Sequence, residues 1–151
     1  DLAANPALQP VRIAAGALGP ALPARDMVVS PQHRMLLSGP AAELLSGEAE
    51  VLAAALHLTF LPGVTREKVG TVTYIHILFD AHEIIRADGA WTESFQPGSH
   101  TLGDMDAAMR AELFSIFPEL ATEAGQASFT AARVCLKRHE VRAMFAGALA
   151  A

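Results

Sequence analysis

Cysteine, cations and long apolar runs are all scarce in this chain, and each scarcity removes a class of function. Cys135 is the one cysteine in 151 residues, which excludes an intramolecular disulfide. Lys and Arg number 11 against 16 Asp and Glu, giving a formal net charge of -5. A nucleic-acid footprint needs clustered Lys and Arg. The densest cationic cluster here, Lys137-Arg138-His139, is followed at once by Glu140. No apolar run approaches the roughly 18 residues of a membrane-spanning helix, and no basic-then-apolar signal segment opens the sequence. A Gly-x-Ser-x-Gly elbow, a Walker loop and a dinucleotide-binding fingerprint are all missing, so several common enzyme classes fall away. Asparagine occurs only as Asn5. Asp1 rather than Met stands first, as expected of a processed chain, a cloned fragment or a piece of a longer reading frame.

What is present is apolar and finely punctuated. The hydrophobic fraction of 52% and a positive mean hydropathy are enough for a packed core, and the length suits one domain. Pro and Gly recur through the first hundred residues, and between them lie short apolar runs: Val11-Arg12-Ile13, Asp26 to Val29, Arg34 to Leu37. This spacing predicts a compact β-rich fold. Ala53 to Leu58 is compatible with one helical turn. The strongest strand signal is Thr71 to Phe79, rich in β-branched and aromatic residues. With Asp80-Ala81 as a tight connection, His82 to Ala87 as a second strand, Asp88-Gly89 as a turn and Ala90 to Phe95 as a third, it predicts a β-meander.

After Gly98 the periodicity becomes helical. Leu102, Met105, Met109, Leu113, Ile116 and Phe117 share a face, Asp104 or Asp106 can cap the start, and Pro118 marks the stop. A second helix is expected from about Lys137 to Ala148, with a loop over Glu123 to Thr130. The expected plan is therefore mainly β over residues 1–100, followed by a short helical extension over residues 101–151 that packs on the same domain.

Histidines are the first candidates for chemistry. His33 follows Ser30-Pro31-Gln32, and a hydroxyl three residues before an imidazole can orient the ring or share a substrate carbonyl with it. The plainer reading is a turn histidine. His76 and His82 fall on two arms of the expected hairpin with Asp80 at its turn; the plainer reading is a core imidazole bonded to a backbone carbonyl. Neither His-x-x-x-His nor closely spaced Cys/His pairs occur, so no metal site is expected. His57, His100 and His139 are isolated. Cys135 reads as a small core residue, and Trp91 and Tyr74 as core anchors.

Four segments together resemble the bacterial Hint (Hedgehog/intein-like) domain family: Pro10 to Gly19, Arg25 to Leu36, Gly47 to Leu52 and Val72 to Ile84. The resemblance spans roughly residues 8 to 120. It implies an all-β, horseshoe-like fold that cleaves its own chain. In that family a Cys or Ser at the first position attacks the preceding carbonyl to give a thioester or ester. A Thr/Ser-x-x-His motif then polarises the scissile peptide, which maps onto Ser30 and His33, and a later histidine with a nearby Asp assists, which maps onto His82 and Asp80. Two departures matter. The initiating nucleophile is absent from residues 1 to 9, which implies an upstream segment and an inactive chain in isolation. Splicing by a terminal asparagine is excluded, because Asn5 lies near the wrong end.

The resemblance thus implies a single-turnover autoprocessing domain whose partner is its own upstream polypeptide, with no cofactor, nucleic acid or membrane involved. A non-cleaving Hint-fold binding module is the alternative. A histidine-dependent hydrolase acting in trans would have to use Ser30. Relatives of such domains often belong to exported proteins with calcium-binding repeats, but no Gly/Asp-rich repeat is present here.

Overall fold

In a computed structural model, which describes residue 2, residues 6–103 and residues 105–149, eight strands form two sheets. The smaller sheet has the order β2-β1-β5, built from Met27–Val29, Val11–Ile13 and Val64–Arg66. The larger has the order β6-β7-β3-β4-β8, built from Ile84–Ala87, Ala90–Glu93, Arg34–Ser38, Glu50–Ala54 and Val134–Leu136. The short apolar runs between Pro and Gly thus become strands, as their β-branched content suggests. The residues left open at Ala53 to Leu58 divide between the end of β4 and a 3₁₀ turn over Ala55–Leu58.

Strand β4 is buried along Val51–Ala54 because it lies inside the sheet and is covered by helices. It pairs antiparallel with β3 and parallel with β8, aligning Val51, Leu52 and Ala53 with Val134, Cys135 and Leu136. Val11, Ile13, Met35, Val51, Leu58, Val64 and Val141 lie within one continuous core. Helix α1 is Pro40–Ser46, and its chain reverses at Gly47, whose φ of 75° is the left-handed conformation that favours glycine.

The C-terminal third departs from expectation in several places. The long helical periodicity divides into α2, Ser99–Gly103, and α3, Ala107–Ile116, with Asp106 capping α3 through the Met109 N–H. Asp104, the other expected cap, lies outside the described residues. Glu123 to Thr130 is not a plain loop, because α4 forms over Glu123–Ser128, capped by the Thr122 hydroxyl. Helix α5, Arg138–Leu149, matches the expected terminal helix, with Val141 buried and Phe145 edge-on to Phe60 at 5.8 Å. Strand β8 is not among the strands that the sequence predicts.

The β-meander is realised only in part. β6 and β7 form the expected hairpin around Asp88-Gly89, but Thr71 to Phe79 pairs as no strand. It is held by the Phe95 N–H, just past β7, donated to the Ile77 carbonyl and by the Tyr74 hydroxyl donated to the Leu8 carbonyl, and Ile75 is 87% exposed. Trp91 is not a core anchor either. Alternation along β7 buries Ala90 and Thr92 and turns Trp91 outward, where the Arg86 guanidinium lies over its ring.

Candidate functional site

The Ser-x-x-His motif lies where the chain passes from one sheet to the other. β2 ends at Val29 and β3 begins at Arg34, so Ser30-Pro31-Gln32-His33 is the turn between them. The His33 N–H donates to the Ser30 carbonyl at 3.1 Å, and Pro31 supplies the fixed φ that such a turn favours. The following 3₁₀ turn clamps this corner from behind, with Ala55 N–H on the His33 carbonyl at 2.8 Å and Leu56 N–H on the Pro31 carbonyl at 3.0 Å.

A cleft of about 300 Å³ opens beside the turn. Ser30 and His33 line it, together with Met27 and Val29 from the small sheet and Thr92 and Glu93 from the large one. His76 also lines it, its ring tilted against Phe95 with centroids 4.5 Å apart. The cleft is therefore a two-sheet crevice in which two imidazoles, Arg34 and Glu93 stand among aliphatic side chains such as Val29, Ile77 and Ile85.

Hydrogen bonding fixes the His33 ring. The buried Thr92 hydroxyl donates its single proton to the Arg34 carbonyl at 2.8 Å. It can therefore only accept from His33, so His33 carries its proton on Nε2 and donates it to Thr92 Oγ1. Among the described residues His33 Nδ1 has no partner, which leaves it able to accept a proton. Burial pushes His33 below its ordinary pKa of 6.5, against the attraction of Glu93 and with a smaller push from His76 and Arg34. Burial likewise lowers His76.

Behind this ring lies a charged cluster. Buried Glu93 accepts from the Arg34 N–H at 2.8 Å, from Arg34 Nη1 at 3.0 Å and from His82 Nε2 at 3.0 Å. The Ala132 N–H donates to His82 Nδ1 at 2.8 Å. Gln96 accepts from Arg34 Nη1 at 2.8 Å and donates to the Phe129 carbonyl at 2.8 Å.

The sequence candidates therefore separate. Ser30 and His33 share the cleft; Asp80 is exposed and His82 is buried, and neither lines it. Thr92 and Glu93 had no signal in the sequence, because their contacts with the His33-Arg34 pair come from strand pairing across nearly sixty positions. Cys135 sits on β8 and does not line the cleft; burial pushes its thiol upward, with the charges of Arg34 and Glu93 acting on it in opposite directions. Among the described residues, no three His, Cys, Asp or Glu side chains are placed to hold a metal ion, and no helix is long and apolar enough to cross a membrane.

Compared with known proteins, residues 1–99 match a family model described as Hint domain. No curated protein and no solved structure matches the chain.

Proposed function

The chain belongs to the Hint-domain family, and on that premise we propose that it is a self-cleaving domain acting once, on the polypeptide that precedes it. The attacking Cys or Ser is supplied from upstream. Its thiol or hydroxyl gives a proton to His33 Nδ1 as it bonds to the preceding carbonyl carbon. The scissile C–N bond then breaks, and the departing nitrogen takes the proton back from His33. Water or another nucleophile finally resolves the thioester or ester, and no splicing follows. The Ser30 hydroxyl, at the same cleft, serves the scissile carbonyl. Proton traffic is assigned to His33 alone, since Asp80 is exposed and both nitrogens of His82 are bonded. In this reading residues 1–100 are a partial horseshoe and residues 101–151 an extension packed on it.

The observation that carries the proposal is the state of His33. Its ring is partly buried with its pKa lowered, its Nε2–H is held by Thr92, and its Nδ1 is open to accept a proton. That combination suits a base working at neutral pH better than a turn histidine.

The test is to express the chain behind its upstream segment and follow intact mass, with and without added thiol and with His33→Ala. A thiol-accelerated cut at the domain boundary, slowed at least about a hundredfold by the substitution, is expected. An uncut product in every condition would favour the second reading, a non-cleaving binding module. The observation behind that reading is the apolar exposure beside the cleft at Ile75 and Ile77.

A further inference from the structure

The family match ends at residue 99, yet hydrogen bonds from the site reach residues 129 and 132. We propose that Glu93 is a positioning residue for His33, held in place through His82 and Gln96 by the C-terminal segment, so that residues outside the family match complete the site.

Strand β7 grips the His33-Arg34 pair at adjacent positions. Thr92 takes the His33 ring and the Arg34 carbonyl, and Glu93 takes the Arg34 N–H. A carboxylate this buried is tolerated only if its oxygens are fully engaged. Arg34 supplies two of the bonds and His82 the third.

His82 can make that third bond only because of residue 132. Its Nδ1 accepts the Ala132 N–H, so its proton must sit on Nε2, where it points to Glu93 Oε2. The side chain is 0% exposed, and both nitrogens are committed, so His82 does not itself meet a substrate. It relays the position of the C-terminal backbone to Glu93. Gln96 repeats the relay: its amide oxygen faces Arg34 and its amide nitrogen holds the Phe129 carbonyl. Phe129 and Leu136 are themselves buried, and β8 is hydrogen-bonded to β4, so the segment making these ties is anchored at both ends.

Glu93 also acts on His33 through space, its charge favouring the protonated ring while burial, His76 and Arg34 oppose it. This inference rests on His33 being the reactive group, but its test does not require cleavage. The His33 ring is followed by NMR through a pH titration in the 151-residue chain, for wild type, Glu93→Gln, His82→Gln and His82→Phe. Glutamine at 82 can still accept from Ala132 and donate to Glu93; phenylalanine can do neither. Glu93→Gln is expected to lower the His33 titration midpoint. His82→Phe is expected to move the His33 and Arg34 signals and speed amide exchange at Ala132, with His82→Gln restoring both.

An unmoved His33 in folded Glu93→Gln would overturn the role of Glu93. If that variant does not fold, the comparison at position 82 decides: equal His33 and Arg34 signals for Gln and Phe would overturn the relay. Where the upstream segment is attached, His82→Phe should slow cleavage about tenfold to a hundredfold and His82→Gln much less. A wild-type chain that never cleaves would sink the self-cleavage reading while leaving the titration result intact.

Discussion

His33 owes its state to groups that are ordinary one by one. A threonine hydroxyl with one proton to give sets the tautomer, and the wall of the cleft sets the basicity. The same burial makes a pH prediction. The pKa values of His33, His57 and His76 are all lowered from 6.5 in the folded chain, chiefly by burial. Between the folded and unfolded values the unfolded chain binds more protons, so stability rises with pH there. It is complete above about 6.5 and is lost as pH falls through the lower folded values. Asp26, lowered from 3.8 by the Ala15 N–H and by Arg12, titrates further down and does not confuse this window. Melting temperature should therefore fall between pH 7.5 and pH 5.5, and less steeply in His33→Gln. A flat melting temperature across that range would contradict the lowered values of these three imidazoles. The spacing of Ser30 and His33 is local and so visible in sequence, although it pointed to a site only through the family resemblance. The Thr92 and Glu93 contacts were not visible, since no short-range pattern records which strand lies beside β3.

Among the elements, the β6–β7 hairpin places the site most directly, because it carries Thr92 and Glu93. Its turn was readable: Asp88 and Gly89 both take positive φ, 49° and 81°, as a two-residue hairpin of this hand requires. A Cβ at Gly89 would also stand 3.4 Å from the Ala24 Cβ, in a turn already bound by the Ala24 N–H at the Asp88 carbonyl. Gly89→Ala should cost about 1–2 kcal/mol, measured by urea unfolding, because the left-handed conformation penalises a side chain. An unchanged midpoint would mean the turn relaxes freely and does not hold the strand register. Thr71 to Phe79 has the composition of a strand and forms none. Its β-branched alternation describes a side-chain surface suited to a sheet, but strand formation also needs a partner edge, and none is supplied among the described residues. The helices at 107–116 and 138–149 were legible from caps and periodicity, whereas three-residue β8 is too short to leave a periodic trace.

At the scale of the molecule, the question is whether the C-terminal third is a passenger or a structural part of the body. Leu136 pairs beside Ala53 and is 6% exposed, and Val141 and Phe145 of α5 join the core that contains Met35 and Val51. Shared burial of this kind couples the two portions energetically, because neither can open without exposing the other's apolar surface. Leu136→Ala should therefore destabilise by about 2–4 kcal/mol, the range for a core leucine truncation. The loss should appear in a single transition followed equally by far-ultraviolet circular dichroism and by the His33 resonance. If the substitution instead produced an early, partial transition with the His33 signal unmoved, the C-terminal segment would be an independent appendage. The ties from Phe129 and Ala132 to the site would then contribute nothing to it. A common transition, by contrast, would mean that folding of the last third and assembly of the cleft are one event, so that His33 is set only once the chain has been closed by β8.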